Sequence, residues 1–220
     1  MELRRCVDNT DPIESLDADE NCLNVLSEQY SFVRVIAHGA YGTVLELKHN
    51  FATEMSIAVK IIALYNDETY QLESNVRREL DVACKIDREL APVYEAFART
   101  YGWLVCNSVP ELWRHAIVKH YIGTYRPLPD YGDGAVYIFS EKYWVSFGRY
   151  TFESVRQCKA ILFEILATVI QANKTTGFAH NDLHVENVLL HNAGRPAQPI
   201  TVEGGATFRL DSTVRPKIID

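Results

Sequence analysis

Between His180 and Asn187 the chain reads HNDLHVEN, then runs directly into the apolar residues Val188, Leu189 and Leu190. Two imidazoles, a carboxylate and an amide fall there at fixed spacing, and three chemistries compete for them. His180 and His184 would share one face of a helix, as two ligands of a zinc ion do. A zinc site needs a third ligand and usually a glutamate base, and no second His/Cys pair follows nearby. In a loop ahead of a strand, Asp182 can act as base toward a hydroxyl while Asn187 ligates magnesium. The plain alternative is a polar turn before a buried strand.

Earlier residues bear on the choice. HGAYGTV places Gly39 and Gly42 in a turn, and glycines let backbone approach a phosphate without a Cβ in the way. Lys60 stands in IAVK, Glu79 in RREL, and Asp220 in KIID. A lysine can neutralise phosphate charge, a glutamate can hold that lysine, and an aspartate can hold magnesium. Each residue alone is commonplace; their order is not.

The elements that must position them can be read from periodicity. FVRVIAHGAYGTVLELKH predicts strand, glycine turn, strand, and MSIAVKIIAL a further β-rich run. YQLESNVRRELDVACKIDREL has apolar residues at helical spacing. YGWLVC and AVYIFSEKYW predict strands, and PELWRHAIVKHY a short helix. The clearest helix is FESVRQCKAILFEILATVIQANK: Val155, Cys158, Ile161, Leu162, Ile165, Leu166, Val169 and Ile170 form a wide apolar stripe expected to face a core. A polar connection then leads to a last strand at KIID. A β-rich first half with one helix, followed by a long helix, a loop and short strands, predicts an α+β fold with two lobes.

Residues 1–28 are acidic and poor in large apolar side chains, so they predict a flexible tail, or one that docks only partly. Residues 29–220 form the domain. A net charge of -7 argues against broad attraction to nucleic acid or an anionic membrane. Cys6, Cys22, Cys84, Cys106 and Cys158 are scattered and odd in number, so a disulfide framework is not expected and a reducing compartment is. With no apolar signal segment and no spanning stretch, the sequence predicts an intracellular protein, of cytoplasm or nucleus.

Taken together, HGAYGTV, IAVK, RREL, HNDLHVEN and KIID resemble the motifs of eukaryotic-type protein kinases, from about Phe32 to Asp220. The resemblance implies a two-lobe fold with a β-rich N-lobe and a partial helical C-lobe. It also implies ATP and Mg2+ as cofactors and transfer of a phosphoryl group to serine or threonine hydroxyls of a protein substrate. By motif position, Asp182 is the base and Lys60 contacts phosphates with Glu79 as its partner. Asn187 and Asp220 hold magnesium. Ile36, Gly39, Gly42, Val44, Ala58, Lys60 and Leu189 surround the nucleotide. Ser140 falls at the gatekeeper position, and Glu141 and Tyr143 offer backbone groups to the adenine edge. Tyr41 would cap the glycine turn, and His180 packs beneath the catalytic loop.

Departures refine the resemblance. Ala37 stands where the first loop glycine is usual, and Asn181 replaces the arginine that reads an activation-loop phosphate. His184, two residues after Asp182, is similar to haspin-type kinases and to small-molecule phosphotransferases of the aminoglycoside and choline type. Long stretches from Glu79 to Ser140 and from Asn187 to Asp220 favour the haspin-type side. The sequence stops at the position of the D-F-G aspartate. Three functions are therefore carried forward: a protein kinase, including one whose C-lobe a partner completes; a kinase-derived interaction protein of weak activity; and a small-molecule phosphotransferase.

Overall fold

The computed structural model describes residues 3–8, 13, 16–38, 42–52, 56–64, 72–122, 131, 134–196, 199–201, 205–208 and 212–219. The chain divides into two compact units, Met1–Lys85 with Arg99–Lys142, and Ile86–Ala98 with Tyr143–Asp220.

The first unit is built on one antiparallel sheet. Its strands are β1 (Tyr30–His38), β2 (Thr43–His49), β3 (Ser56–Ala63), β4 (Thr100–Cys106) and β5 (Ala135–Glu141), in the order β1-β2-β3-β5-β4. The period of two along each strand decides which side chains go where. Leu45, Leu47, Ile57, Val59, Ile61, Tyr137 and Phe139 point to one face. They are buried there with Cys22 and Leu26 of α1 (Cys22–Gln29) and Trp113, Ile117 and Tyr121 of α3 (Glu111–Tyr121). A second cluster joins Ile62, Val105, Val136 and Ile138 to Val76, Leu80 and Cys84 of α2 (Leu72–Lys85). Helices thus cover both faces of the sheet.

The acidic N-terminal stretch docks at some of its described residues. Cys6, Ile13 and Leu16 are buried in the α2 cluster, and Arg4 and Trp103 exchange backbone hydrogen bonds of 3.0 Å in both directions. The expectation of unpaired cysteines is also corrected. Cys6 is bonded to Cys84 and Cys22 to Cys106, leaving Cys158 free. Each pair joins residues about eighty positions apart, with Cα atoms 4.6 and 5.5 Å from each other, so only the folded chain brings them together.

In the second unit, α4 (Val155–Thr176) starts at Ser154, whose hydroxyl accepts from the Gln157 N–H at 3.1 Å. It ends at Gly177, which has a φ of 72°. Strands β6 (Val145–Ser146), β7 (Val188–Asn192) and β10 (Val214–Ile218) form a small sheet in the order β10-β7-β6. A separate hairpin pairs β8 (Ile200–Thr201) with β9 (Thr207–Phe208). The expected stripe on α4 is split. Ile161 and Ile165 are buried with Phe97, Val188, Leu190 and Ile218, whereas Val155, Leu162, Leu166 and Ile170 are 71%, 41%, 56% and 54% exposed.

Beside that core lies an ion network, buried at Glu164, Arg215 and Lys217 and exposed at Glu95. Arg215 Nε donates to Glu164 Oε1 and Oε2 at 2.9 and 3.0 Å, and its Nη2 also donates to Glu164. Arg215 Nη1 donates to Glu95 at 3.1 Å, and Lys217 Nζ to the Glu95 carbonyl at 2.5 Å. Burial pushes the Glu164 carboxyl up, while the Arg215 hydrogen bonds and charge pull the other way. The network ties β10 to α4 and to the segment around Glu95.

Candidate functional site

The sheet face opposite the α1–α3 core carries the candidate nucleotide residues of the first unit. Val44 is registered with Lys60, Lys60 with Ile138, and Ala58 with Ser140. Val44, Ala58, Lys60 and Ser140 are all half-buried. Lys60 Nζ lies 2.5 Å from Glu79 Oε1, and both side chains are about one-quarter exposed. β3 and α2 thus bring together the two residues that the kinase resemblance pairs. Ile36 is exposed on β1. A Cβ on Gly42 would lie 2.4 Å from the Ile61 carbonyl oxygen. Glycine is therefore required there for the hairpin to lie against β3, whatever the turn binds. Gly39, Tyr41 and Asp220 lie outside the described residues.

Two features of this unit escaped the sequence reading. Glu46, only 6% exposed, accepts from Arg34 Nε at 2.8 Å and from Lys142 Nζ at 2.5 Å. Burial alone would raise its carboxyl, but Lys142 and Arg34 outweigh that and hold it below the usual range. Lys142 follows Glu141, so this pair ties the end of β5 to β2. Glu46 stands between the core-facing Leu45 and Leu47, so alternation assigns it to the other face and gives no signal of its burial. At the root of the glycine turn, His38 Nδ1 meets His120 Nε2 and Thr43 Oγ1 meets Tyr121 OH, each at 3.1 Å. α3 thereby holds both strands where the turn leaves and rejoins the sheet.

The second unit holds the loop residues. Asn187 Nδ2 donates to the Asp182 carbonyl at 3.1 Å and reaches its Oδ2 at 3.5 Å. The Asp182 carboxylate is 79% exposed, with His184 Nε2 at 3.7 Å. Asn181 takes a positive φ of 49°, a cost that asparagine bears better than most residues. His180 Nε2 contacts the Ile219 carbonyl at 3.1 Å, and the Ile219 N–H donates to the Asn187 carbonyl at 3.0 Å. The backbone just before Asp220 is thus tied to the loop from both sides. The His180 Nδ1 is buried, with no partner among the described residues. Leu189 pairs with Lys217 and with Ser146. Tyr143 is buried, its ring against His191. Glu141 and Tyr143 fall one in each unit, and the Glu141 N–H is engaged by the Arg99 carbonyl at 3.2 Å.

Among the described residues, no group of three or more His, Cys, Asp and Glu side chains could hold a metal ion. His180 and His184 sit in a loop, and the His180 ring is committed to Ile219. Among those residues, too, no helix is long and apolar enough to cross a membrane.

No family model matches the sequence, and no curated protein matches it. Solved structures do. The chain is similar to the crystal structure of the kinase domain of PF14_0431, with a TM-score of 0.54 and 20% identity over 96% of this chain. At that identity the likeness concerns the fold, and the fold is that of a kinase domain. The chain spans 55% of that structure's length.

Proposed function

We propose that the chain is an ATP-dependent phosphotransferase of the protein-kinase class, acting on serine or threonine hydroxyls with Mg2+. The observation that carries this is the 2.5 Å pair of Lys60 and Glu79, on a half-buried face with Val44 and Ala58. Asn187 has a donor type that suits Mg2+. Asn187 spends its amide N–H on Asp182 and keeps its oxygen, the ligand type a hard divalent cation takes, for Mg2+ together with the Asp220 carboxylate.

Bound Mg-ATP would supply the phosphoryl group and much of the charge neutralisation. The chain's own residues do the rest. Glu79 aims the Lys60 ammonium at the phosphates. Val44, Ala58, Ile36 and Leu189 offer apolar surface to the base, and the backbones of Glu141 and Tyr143 its polar edge. Gly39 and Gly42 let the turn come close. Asp182, exposed and steadied through its carbonyl by Asn187, takes the proton from the acceptor hydroxyl.

A kinase-derived interaction protein is the second reading, and the exposed Val155, Leu162, Leu166 and Ile170 favour it, because apolar surface of that kind marks contact sites. His184 keeps small-molecule acceptors in the comparison. The test is label transfer from γ-labelled ATP to a peptide library and to a panel of small alcohols. Peptide labelling that Asp182→Asn abolishes supports the kinase. Labelling of small alcohols alone replaces the acceptor class, and no labelling by protein that binds nucleotide favours the interaction protein.

A further inference from the structure

Two structural facts meet on α2. Glu79 reaches Lys60, and Cys84, farther along the same helix, is bonded to Cys6. The segment around Cys6 is a strap. Arg4 pairs with Trp103 of β4, the Ile13 N–H donates to Asp81 Oδ1 of α2 at 3.1 Å, and Ile13 and Leu16 are buried with Val76, Leu80 and Trp103. Asp81 and Cys84 lie within about one and a half turns of Glu79, so the strap grips α2 close to the residue that holds Lys60.

We propose that Cys6–Cys84 is a thiol–disulfide exchange site, opened by a dithiol reductant and closed by a disulfide oxidant, that sets how firmly α2 holds Glu79 against Lys60. In opening, a thiolate of the dithiol attacks one sulfur and the Cys6–Cys84 bond breaks. The second thiol of the reagent then displaces the mixed disulfide. Two electrons pass to the protein, which gains two protons as thiols, and the reagent leaves as its own disulfide. The effect on nucleotide binding rests on the function proposed above; the exchange and its grip on α2 do not.

The two pairs differ in what guards them. Cys22 and Cys106 are fully buried in the main core among Leu26, Tyr30, Trp113 and Tyr137, so reaching them means opening the sheet from its helices. Cys6 and Cys84 are 1% and 2% exposed, in the smaller cluster between α2 and the sheet, which Cys6 enters from the docked N-terminal segment. Local opening of such a segment costs far less than global unfolding. Exchange is thus expected first at Cys6–Cys84.

The experiment uses the full chain, with dithiothreitol as the probe. Linked peptides are mapped by mass spectrometry without prior reduction, and amide hydrogen exchange is followed across α2 before and after the reagent. The expected result is a Cys6–Cys84 peptide that is lost before the Cys22–Cys106 peptide, with α2 amides exchanging about tenfold faster after reduction. Cys6→Ser should exchange at the fast rate with or without the reagent, and Cys22→Ser should keep the response. Absence of the linkage, α2 exchange unchanged by reduction, or a response surviving in Cys6→Ser would each overturn the proposal. If Cys6→Ser does not fold, the wild-type comparison decides alone. Mg-ATP affinity, measured in parallel, is expected to fall about tenfold on reduction. Protein that binds no Mg-ATP in either state argues against the kinase reading, while α2 exchange still decides the exchange site.

Discussion

In the unit built on β1 to β5, helices cover both sheet faces, a docked strap lies over α2, and two disulfides close the N-terminal segment onto the rest. In the unit that contains α4, the described residues leave one side of that helix bare and bury the Arg215–Glu164 pair, with the exposed Glu95 at its rim. The first unit is held by apolar burial on both sides and by covalent ties. The second has apolar burial on one side of its long helix and directional ion pairs. The proposed labour divides along the same line, since Lys60 and Glu79 belong to the first unit and Asp182 and Asn187 to the second.

The largest effect should come from the division of labour. Asp182→Asn should lower kcat by roughly 10²–10⁴-fold with little change in nucleotide binding, because the role proposed for Asp182 is toward the acceptor. Steady-state label transfer beside an ATP titration would show it, and equal loss of binding would blur the boundary between the units. Next comes the ion network. Arg215→Met should destabilise the chain by about 3–5 kcal/mol, because it strands the buried Glu164, whereas Arg215→Met with Glu164→Met should recover most of that. Denaturant unfolding of both variants is the check.

Neighbouring residues on α4 sharpen the contrast further. Ile161→Ala, at a core position, should cost about 2–5 kcal/mol. Leu166→Ala, at a position 56% exposed, should stay within about 0.5 kcal/mol. Equal losses would mean that the outer face of α4 is covered in solution. The smallest effect is expected at Glu46. Its folded carboxyl titrates below the ordinary value, so its contribution is present above the unfolded pKa and is lost as pH falls through the lower, folded one. Glu46→Gln should therefore flatten part of the acid limb of stability against pH, read by thermal unfolding from neutral pH downward.

How much of this was legible in the sequence follows from what each signal encodes. The β-rich runs around the glycine turn marked the strands Thr43–His49 and Ser56–Ala63, but not which side chains of each are buried. The pairing of Lys60 and Glu79 was expected from the kinase resemblance of IAVK and RREL, and β3 and α2 bring the two together. Pairings between distant segments carry no local signature, so Cys6–Cys84 and Cys22–Cys106 were read as free thiols and the strap as a flexible or only partly docked tail. Apolar spacing on α4 reported a face that prefers cover, not whether anything covers Leu162 or Ile170. Arg215 lay at the end of the stretch read as a polar connection and Lys217 began the strand read at KIID; their burial depends on Glu164 and Glu95, far away in sequence.

Titration of the full chain with Mg-ATP, followed by thermal unfolding, tests the proposed use of the Lys60–Glu79 pair most directly. Ligand that binds only the folded state at one hundred times its Kd adds about 2.7 kcal/mol, which for a chain of this size raises Tm by about 5–10 °C. The expected result is such a rise in the wild-type chain and its loss in Lys60→Ala. A folded wild-type chain that shows no rise at millimolar Mg-ATP, or a Lys60→Ala chain that shows the same rise, would contradict it.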